Sequence, residues 1–196
     1  MSDRLQRALA AIDAANACDP NLEAGEPAAL LYGRRMSEAL AVFAPGASEA
    51  PRIAARGQHI ERWQSPRREF PEGRAGYIAW RNAAKKRHAE RLAEILAACG
   101  YDETTIARVG ALVRKENLHR DGEAQTLEDV ACLVFLRHYA EGFAAEHEGE
   151  KVFDIMVKTL RKMSPAARAT ALNFSLPASI LALYRQGLRT LEAASR

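Results

Sequence analysis

Apolar residues recur at the helical period along nearly the whole chain, and this pattern limits the fold more than any other feature. No stretch sustains the alternation of apolar and polar residues, rich in β-branched side chains, that marks a half-buried strand. Glycine and proline recur between the periodic segments and divide them. We therefore predict an all-α fold, a single compact bundle of about eight or nine helices. Residues 1–163 would form its core and residues 164–196 a C-terminal helical appendage packed on that core.

The glycine and proline positions set the expected helix boundaries. We expect helices over about 3–17, 27–44, 48–63, 74–98, 102–116, 126–146 and 151–162, and two more that begin at Ser164-Pro165 and at Leu176-Pro177. Asp102 and Thr126 are the expected N-caps of two of them. Residues 64–73 form a long irregular connection with three basic or aromatic side chains, which is typical of a binding loop, and we expect it to act as a lid.

Composition excludes several classes of protein. The longest apolar run, Val130–Leu136, has seven residues, whereas a membrane span needs about 20. The first residues lack the apolar segment of a secretory signal. Three cysteines without a C-x-x-C pair exclude a disulfide framework and a thiolate zinc knuckle. We expect a cytoplasmic protein that does not enter a membrane.

Basic residues are concentrated in one segment of the chain. Residues 52–91 hold eleven Lys/Arg and four acids, a local charge of +7, although the whole chain carries only +3. Like charges without counter-charges cost stability, so the segment predicts an anionic ligand. The alternative is a solvated helix surface with scattered ion pairs.

Four polar residues from four predicted helices fall on or beside the apolar side of their helix. They are His59, His88, Glu116 and Asp129. Buried charge is costly unless it is paired or metal-bound. We expect these groups to meet, with His59, His88 and Asp129 holding a divalent transition metal (Mn, Fe, Co, Ni or Zn). A metal-activated water could then attack a phosphoester, with His88 and Glu116 as catalytic residues.

The expected substrate is a small phosphorylated or other anionic molecule, because arginine grips phosphate oxygens with its planar fork. The candidate substrate-binding residues are Arg56, Trp63, Arg67, Arg68, Arg74, Tyr77 and Arg81. The same basic and aromatic residues favour a second hypothesis, a metal-free helical module that binds RNA or a nucleotide through segment 52–91.

Each metal candidate also has a structural interpretation. Asp129 follows Thr126 by three residues and could be a first-turn acid, His88 could be a satisfied core histidine, and His59 could stack on Trp63 or pair with Glu61. We expect His119, His138 and His147 at the surface. A stripe containing Leu181 and Leu188 in the last helix could support a homodimer.

Four parts of the chain together resemble the family catalogued as domain of unknown function 4202. They are the run Ile53–Trp63, the loop Ser65–Tyr77, Trp80-Arg81 with the downstream His88, and the run Gln125–Phe135. The resemblance covers nearly the whole chain, and the family name implies no activity.

The order of His59, His88 and a late Asp129 in an all-helical chain also resembles, more loosely, the HD-domain superfamily of metal-dependent phosphohydrolases. This second resemblance implies an HD-domain-like core in which these three residues match metal ligands. Ile60 stands where the superfamily has the aspartate of its His-Asp doublet, and Lys115-Glu116 stand where it has a helix-ending histidine.

Overall fold

The computed structural model describes residues 2–118 and 120–193, and apart from one short hairpin its regular structure is helical. Its helices are α1 (Asp3–Asn16), α2 (Ala28–Phe43), α3 (Glu49–Gly57), α4 (Gly73–Ala98), α5 (Glu103–Arg114), α6 (Gly122–Val134), α7 (Ala140–Ala145), α8 (Gly149–Lys162), α9 (Pro165–Ala171) and α10 (Ala178–Ala193). Strands β1 (Leu22–Glu23) and β2 (Glu26–Pro27) pair antiparallel. The predicted all-α fold is confirmed. The described residues hold ten α-helices because a π-helical segment, Phe135–Tyr139, interrupts the helix predicted over 126–146.

The chain divides into two compact units, Met1–Ala124 and Gln125–Arg196. In the first unit, α3 packs against α1, α2 and α5, and α4 runs along α5. In the second unit, α8 packs against α10 and α7. The expected boundary at 163/164 falls inside the second unit. Leu181 and Leu188 are half-buried there, and the homodimer stays a prediction.

Helix α3 ends earlier than its apolar pattern predicts, and its end brings α4 close. A Cβ atom added to Gly57 would lie 2.5 Å from Leu92 Cδ2 on α4, so glycine permits this approach. Glu61 then adopts a left-handed conformation (φ 49°), which an α-helix cannot include. The predicted continuation of the helix to Trp63 is therefore wrong. Residues Arg62–Gln64 and Arg67–Glu69 form short 3₁₀ turns instead.

Helix α6 begins one turn before the predicted cap. The Asp121 carboxylate accepts hydrogen bonds from the backbone N–H groups of Glu123 (3.0 Å) and Ala124 (3.3 Å), so Asp121 takes the capping role predicted for Thr126. Hydrogen bonding from Arg108 lowers the pKa of Asp121 to about 2. The cap at Asp102 is confirmed, because its side chain accepts from the backbone N–H of Thr105 at 2.9 Å.

None of the described helices combines the length and the apolar character that a bilayer crossing requires.

Candidate functional site

A small cavity in the first unit is lined by two imidazoles and four cationic side chains. Its polar lining consists of Gln58, His59, Arg62, Arg81, Lys85, His88 and Lys115. We call this cavity the His59–His88 pocket. Its volume is about 50 Å³, several times the 10–15 Å³ that one water molecule needs. Within the described part of the chain, no carboxylate lines it.

The two histidines lie next to each other in the lining of the pocket. Their ring centroids are 6.0 Å apart, and His59 also stacks on Tyr32 at 4.3 Å. His88 is 1% exposed, and among the described residues neither of its ring nitrogens has a hydrogen-bond partner of good geometry, although a backbone contact with Ile60 raises its pKa. Burial and the nearby charge of Arg62 lower the pKa of His88 to about 4, and burial lowers the pKa of His59 well below its usual range. Both imidazoles are therefore neutral near pH 7.

Arg62 reaches the pocket because the turn after α3 is held in place. The side chain of Asn16, at the end of α1, accepts a hydrogen bond from the backbone N–H of Glu61 at 3.0 Å. The Arg91 side chain donates to the Glu61 carboxylate at 3.1 Å. Arg62 lies over the ring of Trp80, at 4.7 Å from its centroid, and burial lowers the pKa of its guanidinium.

Lys115 reaches the pocket through the C-terminal cap of α5. It has a left-handed backbone (φ 61°) and donates its N–H to Leu112 O at 3.0 Å, while Glu116 N–H donates to Ala111 O at 3.0 Å. This is the pattern of a Schellman cap, in which glycine is the usual left-handed residue. A lysine here accepts backbone strain and places a cation at the helix end.

The pocket brings together three of the predicted site residues, His59, His88 and Arg81. Tyr77 stands at 5.7 Å from Arg81, measured from its ring centroid to the guanidinium carbon. Trp63 is half-buried, and Arg68 and Arg74 are exposed.

Two other predicted anion-binding arginines already have partners. Arg56 donates to both carboxylate oxygens of Asp13, at 2.6 and 2.5 Å. Arg67 donates to the Phe70 carbonyl at 2.8 Å. Arg56 therefore links α3 to α1, and Arg67 helps to hold its own turn.

Glu116 and Asp129 are engaged elsewhere. The expectation that Glu116 faces inward is wrong: it lies beyond the end of α5, is exposed, and accepts from Arg114 Nε at 2.6 Å. Asp129 is 2% exposed, as expected for an inward-facing residue. Its Oδ1 accepts from Gln125 at 3.0 Å and from the backbone N–H of Ser164 at 2.8 Å, within the second unit. Of the histidines expected at the surface, His138 and His147 are half-buried, and His119 is outside the described residues.

The surroundings of His59 and His88 do not suit a divalent metal ion. Across residues 2–118 and 120–193, no three His, Cys, Asp or Glu side chains come together in a metal-holding group. The charged side chains that line the pocket with the two imidazoles are cations, which repel a metal cation. Among the described residues, His59, His88 and Asp129 belong to no metal-holding group, and the metal site expected for them stays a prediction.

Sequence reasoning missed Arg62, Lys85 and Lys115. Lys85 could have been found, because it lies four residues after Arg81 and three before His88 on one side of α4. Arg62 belongs to the basic segment, but if α3 continued to Trp63 as predicted, Arg62 would lie on the side of the helix away from its apolar residues. No local pattern indicates Lys115.

The fold and the site together define the class of this protein: it is an all-α protein with a small cationic pocket in its first unit. The chain belongs to the family described as domain of unknown function 4202, whose model matches residues 6–184. The resemblance to this family is therefore confirmed, whereas the looser resemblance to HD-domain phosphohydrolases stays a prediction. No curated protein and no solved structure matches the chain.

Proposed function

We propose that the chain binds a small phosphorylated or otherwise anionic ligand in the His59–His88 pocket, with the anion held by Arg62, Arg81, Lys85 and Lys115. The observation that carries the proposal is the charge of the lining: four cations and two neutral imidazoles, without a carboxylate among the described lining residues.

Electrostatics favours this occupant. Like charges that line one cavity repel each other, and more strongly at the effective dielectric constant of a protein than in water. A bound phosphoryl group would replace this repulsion by attraction to each cation. Arginine adds geometry, because its parallel N–H groups match two oxygen atoms of one phosphoryl group.

The ring nitrogens of His88, which are buried and have no hydrogen-bond partner of good geometry among the described residues, supply a second argument. Leaving a buried donor or acceptor unsatisfied costs about 1–3 kcal/mol. Because the pKa of His88 is about 4, the ring at neutral pH carries one N–H donor and one bare nitrogen. An anion oxygen could accept the first, and a ligand hydroxyl or a water molecule could donate to the second.

Binding is the part of the hydrolase hypothesis that these contacts support. A metal-activated water would need a ligand set that the described residues do not assemble. We therefore propose a metal-independent binding site, and hydrolysis of the bound ligand is not part of the proposal.

The test is a calorimetric titration with inorganic phosphate and with pyrophosphate, at fixed ionic strength and with EDTA present. We expect binding that persists in EDTA and that weakens about 10-fold or more in Arg81→Gln, since a hydrogen bond to a charged group is worth about 1.5–3 kcal/mol.

Arg74→Gln is the matched control, because Arg74 is exposed on the same helix and does not line the pocket. We expect its affinity to stay within about twofold of the parent value. Absence of anion binding, loss of binding in EDTA, or equal losses in both variants would each overturn the proposal.

A further inference from the structure

One side of α4 leads from the surface into the His59–His88 pocket. Tyr77, Arg81, Lys85 and His88 follow one another at intervals of four, four and three residues, so they share a face of the helix. Their burial increases in that order, from Tyr77, which is 45% exposed, through the half-buried Arg81 and Lys85 to His88. An aromatic ring therefore stands at the outer end of a row of cations.

Two aromatic rings lie beside the same arginines that line the pocket. Tyr77 and Trp80 have ring centroids 5.8 Å apart. The guanidinium carbon of Arg81 is 5.7 Å from the Tyr77 ring, and that of Arg62 is 4.7 Å from the Trp80 ring. Each of these two arginines therefore contacts one aromatic ring and also lines the pocket.

The two rings differ in what they can do. Trp80 donates its indole N–H to the Ser65 carbonyl at 2.7 Å, which fixes it against the loop before α4. Tyr77 keeps almost half of its surface in solvent. Trp80 therefore supports the site, and Tyr77 offers an open face to a ligand.

We infer that the ligand of the His59–His88 pocket is a nucleotide whose phosphate lies against Arg81 and Lys85 and whose base stacks on Tyr77. This inference rests on the proposed anion-binding function. From Tyr77 to Arg81 the helix rises about 6 Å, a distance that one ribose spans. Every nucleobase has a flat π-face, so an exposed tyrosine beside an arginine suits it.

A single nucleotide fits these contacts better than an RNA strand. A strand-binding surface has an open cationic groove that follows several phosphates. Here the cations converge on a cavity of about 50 Å³, which has room for one phosphoryl group and not for a row of them.

The test compares adenosine 5′-monophosphate with ribose 5-phosphate, which has the same phosphate and sugar but no base. Affinities are measured by calorimetry for the parent chain and for Tyr77→Ala, Tyr77→Phe and Ile78→Ala. We expect the nucleotide to bind about 5- to 150-fold more tightly than the sugar phosphate, which is the range of base stacking on aromatic residues.

Tyr77→Ala should weaken nucleotide binding much more than ribose 5-phosphate binding and so remove this difference, and Tyr77→Phe should keep the difference. Ile78→Ala is the matched control, because Ile78 is an equally exposed apolar neighbour, 48% accessible, and should have no effect.

The outcomes separate this inference from the function on which it depends. If ribose 5-phosphate and inorganic phosphate do not bind, the anion-binding function itself is wrong and the inference falls with it. If both bind but the nucleotide has no advantage, or if Tyr77→Ala weakens both ligands equally, only the nucleotide inference is overturned. Tighter binding of a single-stranded oligonucleotide than of the mononucleotide, with affinity falling steeply with salt, would also overturn it.

Discussion

The side chain of Asn16 accepts a hydrogen bond from the backbone N–H of Glu61, and this contact ties the end of α1 to the turn that carries Arg62. Asn16 is 1% exposed. Glu61 is one of the few non-glycine residues with a positive φ, so its conformation depends on such external support.

We expect Asn16→Leu to destabilise the protein by about 1–3 kcal/mol, because the part-buried Glu61 N–H loses its acceptor. It should also weaken phosphate binding, since Arg62 follows Glu61 directly. Urea unfolding and calorimetry measure the two effects. Asn82→Leu, at an exposed position on α4, is the control. Equal stability of the two variants would contradict the role assigned to Asn16.

Lys115→Gly should change stability and binding in opposite directions. Glycine relieves the left-handed strain at the cap of α5 and should stabilise the fold by up to about 1 kcal/mol. The same substitution removes a cation from the pocket and should weaken phosphate binding about tenfold.

Lys115→Ala separates the two effects. Alanine removes the charge but keeps a Cβ at a left-handed position, so it should lose affinity without gaining stability. Thermal unfolding with and without phosphate measures both quantities. A stability gain without loss of affinity in Lys115→Gly would mean that the lysine acts only as a cap.

His88 should make the stability of the protein depend on pH. Its pKa is about 4 in the folded chain and about 6.5 when unfolded. Between these values the unfolded chain binds more protons, so the free energy of unfolding rises with pH. The contribution is complete above pH 6.5 and is lost as pH falls to 4. It amounts to about 3 kcal/mol at 1.36 kcal/mol per pKa unit.

His88→Gln should reduce the pH dependence of stability between pH 4 and 6.5. The measurement is urea unfolding at several pH values in that window. His147→Gln changes a half-buried histidine of the second unit and serves as the comparison. If His88→Gln and the parent chain show the same slope against pH, His88 is not held neutral by burial.

Asp129→Ala tests whether this carboxylate is structural. Its Oδ1 holds Gln125 and the backbone N–H of Ser164, the residue that caps α9. Removal leaves that part-buried N–H without this acceptor, so we expect a loss of stability of about 1–3 kcal/mol. Phosphate affinity at 25 °C should stay within about twofold of the parent value, because Asp129 does not line the His59–His88 pocket.

A large loss of phosphate affinity with unchanged stability would instead restore Asp129 to the binding site. Asp154→Ala, which removes an exposed partner of Lys158 on α8, is the matched control in the same unit. An exposed pair of this kind contributes about 0–1 kcal/mol.

Local patterns predicted most of the helices, because an apolar stripe and its caps lie within a few residues of each other. Asp102 and Ser164 are caps of this kind, and both hold their expected helices. Thr126 is the cap that the local pattern predicts, yet Asp121 takes that role and is supported by Arg108 on α5. That support is tertiary and cannot be read from the local sequence.

The candidate site was predictable only in part for the same reason. Helical spacing was enough to place His59 and His88 on inward sides. The positions of the Arg62 and Lys115 side chains depend on positive φ angles at Glu61 and at Lys115 itself. Intrinsic backbone propensity disfavours such angles in non-glycine residues, so tertiary packing has to enforce them. Asp129 accepts a hydrogen bond from Ser164, which lies 35 residues further along the chain. Helical spacing indicates only the neighbours of Asp129 on its own helix, so this partner was not predicted.

Gly57 carries a consequence for the width of the pocket. It precedes His59 by two residues, and the Leu92 side chain that presses on it follows His88 by one helical turn. The distance between the two imidazoles therefore depends on position 57 carrying only a hydrogen atom where other residues carry a Cβ atom. With alanine at this position, either the Leu92 side chain or the two segments that carry His59 and His88 would have to shift.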